Sequence, residues 1–116
     1  MSQHNKINYL EIPVKDVLAT KAFFNQVFGW QFQDYGPEYS CFLRVGIDGG
    51  FYQSSSQFTL AAGCPLIVLY SQDLLATQAA ITQAGGLISR DIFSFPGGRR
   101  FHFTDINGNE YAVWSE

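Results

Sequence analysis

The apolar positions of this chain switch between two periods. From Ile7 to Val14 they alternate, with Leu10, Ile12 and Val14 on one side and Ile7, Tyr9 and Glu11 on the other, which marks a strand with one apolar face. From Asp16 the period becomes helical. Ala19, Phe23 and Val27 make one row, Phe24 and Phe28 the next, while Lys21 and Asn25 fall on the opposite side. Asp16 stands where a side-chain cap is needed, and Gly29 where a left-handed residue lets the chain leave. Because the strand runs directly into the helix, Leu10, Ile12 and Val14 are expected to pack on it, with Tyr9 and Glu11 facing away. Trp30 to Tyr35 alternates again and stops at Gly36-Pro37. Tyr39 to Val45 reads as the next strand, and residues 46–50 as a hairpin turn into Phe51–Gln53.

The same order then returns. Pro65 to Tyr70 is a short apolar strand, a helix follows Asp73, and Leu87 to Ile92 is a strand that Phe93-Ser-Phe-Pro-Gly-Gly98 breaks. Arg99 to Thr104 sets Phe101 and Phe103 against Arg100, His102 and Thr104. Residues 105–109 form a tight turn, and Glu110 to Trp114 is the last strand. Asp16–Gly29 and Asp73–Gly86 align without a gap at an offset of 57, with identity at Asp16/Asp73, Leu18/Leu75, Ala19/Ala76, Thr20/Thr77, Ala22/Ala79, Gln26/Gln83 and Gly29/Gly86. That density of agreement indicates an internal duplication. The expected fold is α+β, with two tandem βαβββ modules at about 5–54 and 64–116, an exposed linker at 55–63, and one domain over all 116 residues.

Composition narrows the class. Aromatics reach 16%, which suits strands around an apolar cavity, and the net charge of −3 with scattered basic residues argues against a nucleic-acid or anionic-membrane surface. The first residues carry no apolar signal core and no run approaches a membrane span, so a cytoplasmic location is expected. Cys41 and Cys64 lack metal-binding or redox spacing and read as reduced structural thiols.

Ile12-Pro-Val-Lys-Asp16, Ala22-Phe-Phe-Asn-Gln-Val-Phe-Gly-Trp30, Ala84-Gly-Gly86 and Thr104-Asp-Ile-Asn-Gly-Asn109, together with the repeat, resemble the vicinal oxygen chelate superfamily of glyoxalases, bleomycin-resistance proteins and extradiol dioxygenases. The resemblance covers nearly the whole chain. It implies curled mixed sheets enclosing a concave pocket, helices outside, and a homodimer. It also implies four metal-ligand positions, usually His and Glu, and these match Tyr9, Leu66 or Ile67, Ala112, and Gln53 or Ser54. Leu and Ala have no lone pair to give, so neither a metal nor any other cofactor is expected. A rebuilt metal site from Glu11, His102 and Glu110 is the alternative.

The strand faces turned from the helices are expected to line one pocket, with Glu11 and His102 as the candidate acid/base residues and Tyr9, Tyr52, Arg100 and Glu110 as the candidate ligand-binding residues. His102 also reads as a histidine satisfied within its sheet, and Arg100 with Glu110 as a surface ion pair. The expected function is a glyoxalase-like protein that binds a small polar or anionic molecule, with no nucleic-acid or membrane partner. The alternatives are a metal-dependent lyase or isomerase related to glyoxalase, and a sequestering protein of the bleomycin-resistance type.

Overall fold

The computed structural model of the chain describes residues 2–116. Its elements run β1 (Tyr9–Val14), α1 (Val17–Phe28), β2 (Gln31–Asp34), β3 (Tyr39–Leu43), β4 (Asp48–Gln53), β5 (Ile67–Tyr70), α2 (Leu74–Gln83), β6 (Leu87–Phe95), β7 (Gly98–Thr104) and β8 (Glu110–Ser115). Two compact units divide it, the first ending at Ser56 and the second running Gln57–Glu116. The first holds a sheet in the order β1-β4-β3-β2 and the second one in the order β5-β8-β7-β6. In each, the first and last strands pair in parallel and the remaining neighbours are antiparallel. The duplicated sequence thus builds the same α+β unit twice.

Both helices begin as the sequence requires. The Asp16 carboxylate accepts the N–H of Ala19 and the Asp73 carboxylate that of Ala76, each at 3.0 Å. Their ends differ. Gly29 takes the left-handed conformation at φ 72°, but in the repeat that role falls to Gly85 at φ 100°, one residue before the Gly86 that alignment selects. With two glycines in succession the second helix can unwind earlier, and Gly86 N–H then closes on the Ile81 carbonyl at 2.9 Å.

In the first unit Val14, Phe24 and Phe51 are fully buried. The Phe51 ring lies 5.4 Å from Phe24 and 5.3 Å from Phe42, so α1 covers the face that β1 presents with Leu10, Ile12 and Val14. Gly49 and Gly50, expected in a turn, are part of β4. A Cβ on Gly49 would strike the Leu10 carbonyl oxygen and meet Phe42 Cζ at 2.6 Å, while one on Gly50 would meet Tyr39 Oη at 2.7 Å. Glycine is needed here for close approach, not for turning.

In the second unit Phe101 and Phe103 on β7 pair with Val113 and Tyr111 on β8, and all four are fully buried. The strand expected to stop at Ile92 continues to Phe95 and turns at Pro96-Gly97. Two register shifts, between Ile88 and Arg90 and between Arg90 and Phe93, each insert one extra residue into β6. The segment expected as an exposed linker is partly fastened down. Phe58 N–H donates to Asn109 Oδ1 at 3.0 Å, Glu110 N–H donates to the Phe58 carbonyl at 3.0 Å, and the Phe58 ring meets Tyr111 edge-on at 5.4 Å. Among the described residues no helix is long and apolar enough to cross a membrane.

Candidate functional site

Strand register decides which candidates share a face, because directly opposed residues point the same way. In the first unit Glu11 lies opposite Gly50 and Gly50 opposite Cys41, while Pro13 and Tyr39 both lie opposite Tyr52. Tyr9, Glu11, Tyr39, Cys41 and Tyr52 therefore occupy the face turned from α1. Tyr39 Oη donates to Glu11 Oε2 at 2.9 Å, the Tyr9 and Tyr39 oxygens are 2.5 Å apart, and Tyr9 Oη is 3.3 Å from Cys41 Sγ. Burial, with the bonds to Tyr9 and Glu11 adding to it, pushes the Tyr39 phenol far above its ordinary range. Tyr52 is on this face, opposite Tyr39. Tyr39 and Cys41 were absent from the candidates, although the alternation of β3 already places them together.

In the second unit His102 lies opposite Ala112 on β8 and opposite Arg90 on β6, on the face turned from α2. His102 is 2% exposed. Its Nδ1 is 3.3 Å from Glu110 Oε2, and Glu110 Oε1 accepts the Leu60 N–H at 2.9 Å. Glu110 thus pairs with His102, and the Arg100–Glu110 surface pair read from the sequence does not form. A carboxylate at Nδ1 holds the proton on that nitrogen, leaving Nε2 as an acceptor. That Nε2 is buried with no hydrogen-bond partner, and so is Nε of Arg100 two residues earlier on the same face. By the strand rise, Cα positions two apart are separated by roughly 6.6 Å.

The bulges of β6 complete this face. Phe93 falls directly opposite Arg100, and its ring lies 3.7 Å from the Arg90 guanidinium carbon and 5.3 Å from that of Arg100. Strict alternation would have put Arg90 and Phe93 on opposite faces, so neither could be found from the pattern. The arrangement offers a fixed acceptor, a guanidinium and an aromatic surface.

The positions that the resemblance assigned to a metal do not carry a matching donor set. Glu11 opposite Gly50 in the first unit corresponds to Val68 opposite Ala112 in the second. The first-unit counterpart of Ala112 is therefore Gly50, correcting the match to Gln53 or Ser54. Gln53 pairs with Val14, whose side chain goes to the core. Glycine and alanine supply no ligand atoms, and among the described residues no three His, Cys, Asp or Glu side chains gather to hold an ion. The residues present do not fit that divalent cation.

Comparison with solved structures places the architecture. A glyoxalase-related enzyme from Fulvimarina pelagi superposes with a TM-score of 0.79 at 15% identity, over 97% of this chain and 88% of that one. The fosfomycin resistance protein FosX from Listeria monocytogenes gives 0.77 at 16%, over 98% and 95%. A lactoylglutathione lyase from Agrobacterium tumefaciens gives 0.70 at 16%, over 97% and 95%. No curated protein sequence matches the chain. The duplicated βαβββ units agree with these neighbours, and a family model matches residues 6–113; the chain belongs to the Glyoxalase/Bleomycin resistance protein/Dioxygenase superfamily.

Proposed function

We propose that this superfamily member binds a small molecule carrying an anionic or carbonyl oxygen and an exchangeable proton, on the face of the second sheet turned from α2, and does so without a divalent metal. The observation that carries the reading is the buried, unpartnered Nε2 of His102, whose other nitrogen is held by Glu110. A base oriented by a carboxylate that is itself anchored by a backbone N–H is the arrangement that general acid/base chemistry needs. Arg100 supplies a donor for the ligand oxygen, and Phe93 holds its guanidinium in place. Neighbours named for fosfomycin resistance and for a lactoylglutathione lyase support a small-molecule ligand.

A hydroxy acid such as glycolate is a suitable probe, since its carboxylate and hydroxyl match Arg100 and Nε2. Saturable perturbation of the His102 ring signals in NMR is expected, undiminished by a chelator, and purified protein should hold no stoichiometric zinc, nickel or iron by elemental analysis. His102→Ala should abolish the binding with the chain still folded by circular dichroism, at a cost of about 1–2 kcal/mol because His102 is buried and paired with Glu110. Unfolding as the main effect of that change would instead make His102 a structural histidine. Glu110→Gln is the sharper variant. A Gln amide can donate to Nδ1, which moves the ring proton to Nε2 and turns the acceptor into a donor. Nitrogen NMR should report that tautomer, and probe affinity should fall by about tenfold, the cost of one misdirected hydrogen bond.

A two-fold dimer belongs to the same proposal, supported by Val68 and Tyr70, which stand 43% and 48% exposed on the edge strand β5. Light scattering that gives one chain per particle at micromolar concentration would remove it.

A further inference from the structure

The cluster on the first sheet admits a proton count. Tyr39 has one phenol proton, and it goes to Glu11 Oε2. The contact between the Tyr39 and Tyr9 oxygens must then use the Tyr9 proton, and the contact between Tyr9 and Cys41 must use the thiol proton. Every proton in the chain from Cys41 through Tyr9 and Tyr39 therefore points toward the Glu11 carboxylate. Nothing is left to donate outward. The cluster presents acceptors: the second oxygen of Glu11, an exposed residue, and the ring of Tyr9, which is 43% exposed.

The cluster is built rather than incidental. Tyr39 and Glu11 sit on strands that flank β4, so the Tyr39 ring must cross β4 to reach the carboxylate. It does so over Gly50, where a Cβ would come within 2.7 Å of Tyr39 Oη and 2.8 Å of Cε1. The register adds Asp48, opposite Tyr9, and Tyr52 to the same face, and none of the strand residues on it is Lys or Arg. The face combines an oriented carboxylate, phenol rings and negative charge.

We propose that this face binds an organic ammonium group, whose charge rests on Glu11 and whose N–H or N-alkyl groups lie against Tyr9. The carboxylate supplies a charge-assisted acceptor, and the ring face attracts the same cation through its quadrupole. Neutral donors gain neither attraction in full, and anions meet like charge. Its chemistry differs from that proposed at His102, which takes the opposite charge.

The test uses the full chain and an isosteric pair, benzylammonium and benzyl alcohol, followed by NMR shifts of the β1, β3 and β4 amides and of the tyrosine rings. Saturable binding of benzylammonium is expected, with benzyl alcohol at least about tenfold weaker, as befits loss of the ion-pair contact. Glu11→Gln should reduce benzylammonium affinity by about tenfold or more. Tyr39→Phe, which keeps the ring but releases the carboxylate, should reduce it by about threefold. Gly50→Ala should act in the same direction by displacing Tyr39. Three results would overturn the assignment: equal affinity for the alcohol, unchanged affinity in Glu11→Gln with the fold intact by circular dichroism, or no saturable shift up to about 50 mM probe, where even one weak contact should register. Glycolate is followed at the His102 ring and benzylammonium at the tyrosine rings, so the two readings fail separately.

Discussion

Replacing Asp105 by Ala is expected to cost the fold about 3 kcal/mol, because two buried backbone N–H groups lose the carboxylate oxygen that accepts them. Asp105 Oδ1 accepts the N–H of Asn107 at 2.9 Å and of Asn109 at 3.0 Å, and Oδ2 accepts Asn107 Nδ2 at 3.0 Å. The turn so fixed aims Asn109 at the Phe58 N–H and starts β8, so the loss would spread from the turn into the segment that anchors Glu110. Denaturant unfolding should show a lower midpoint at an unchanged slope. Asp105→Asn keeps one acceptor oxygen and should cost only about 1 kcal/mol. The pair also separates charge from hydrogen bonding. Burial, the largest influence, raises the Asp105 carboxyl above its ordinary 3.8 even though the turn's N–H groups pull it down. The folded state then holds this proton more tightly than the unfolded state. Its stabilising contribution is complete below the unfolded carboxyl range and is lost as pH rises through the folded value. The native protein should therefore gain stability relative to Asp105→Asn as pH falls from 7 toward 3. A native protein that instead lost stability relative to Asp105→Asn as pH falls would mean that the hydrogen bonds, not burial, govern this carboxylate.

How far the chain could be read depended on whether a local pattern met a tertiary exception. The faces of β1, β7 and β8 were legible because their alternation is unbroken: Tyr9 and Glu11 turn from α1, and Phe101 and Phe103 turn to the core opposite Val113 and Tyr111. The helix caps were legible because Asp16 and Asp73 act within one turn of chain. Gly49-Gly50 misled because glycine has the same local signature whether it bends a chain or makes room for a neighbour. Only the positions of Leu10, Phe42 and Tyr39 reveal which use applies. The bulges of β6 leave no signature in the sequence, so the approach of Arg90 to Phe93 was invisible. The contact of Glu110 with His102 was hidden for a related reason. His102 and Glu110 are diagonal across the β7–β8 pair, and their contact depends on Leu60 fixing the other carboxylate oxygen from a segment that looks like free linker.

The largest loss of stability is expected from Phe51→Ala, at about 4 kcal/mol. Phe51 is fully buried at the centre of the first unit, within 5.3 to 6.4 Å of the Phe24, Phe32, Phe42 and Trp30 rings. Truncation removes the transfer energy of a large ring and leaves a cavity that these neighbours are poorly placed to fill. Phe42 is pinned against Gly49, and Phe24 is fixed by α1, so collapse into the space would require backbone motion. Phe51→Leu should cost less than half as much, about 1.5 kcal/mol, because most of the volume is retained. Trp30, stacked at 4.8 Å on Phe24, reports on this cluster, so its fluorescence should follow the loss in denaturant titrations. The site above it offers an internal check. Gly50 is the next residue on β4 and admits Tyr39 to Glu11, so a cavity that shifts β4 should also weaken benzylammonium binding in Phe51→Ala. A variant that loses the expected stability yet binds the probe unchanged would show that β4 is held by its pairing with β1 and β3, and that the core ring supplies stability without positioning the site.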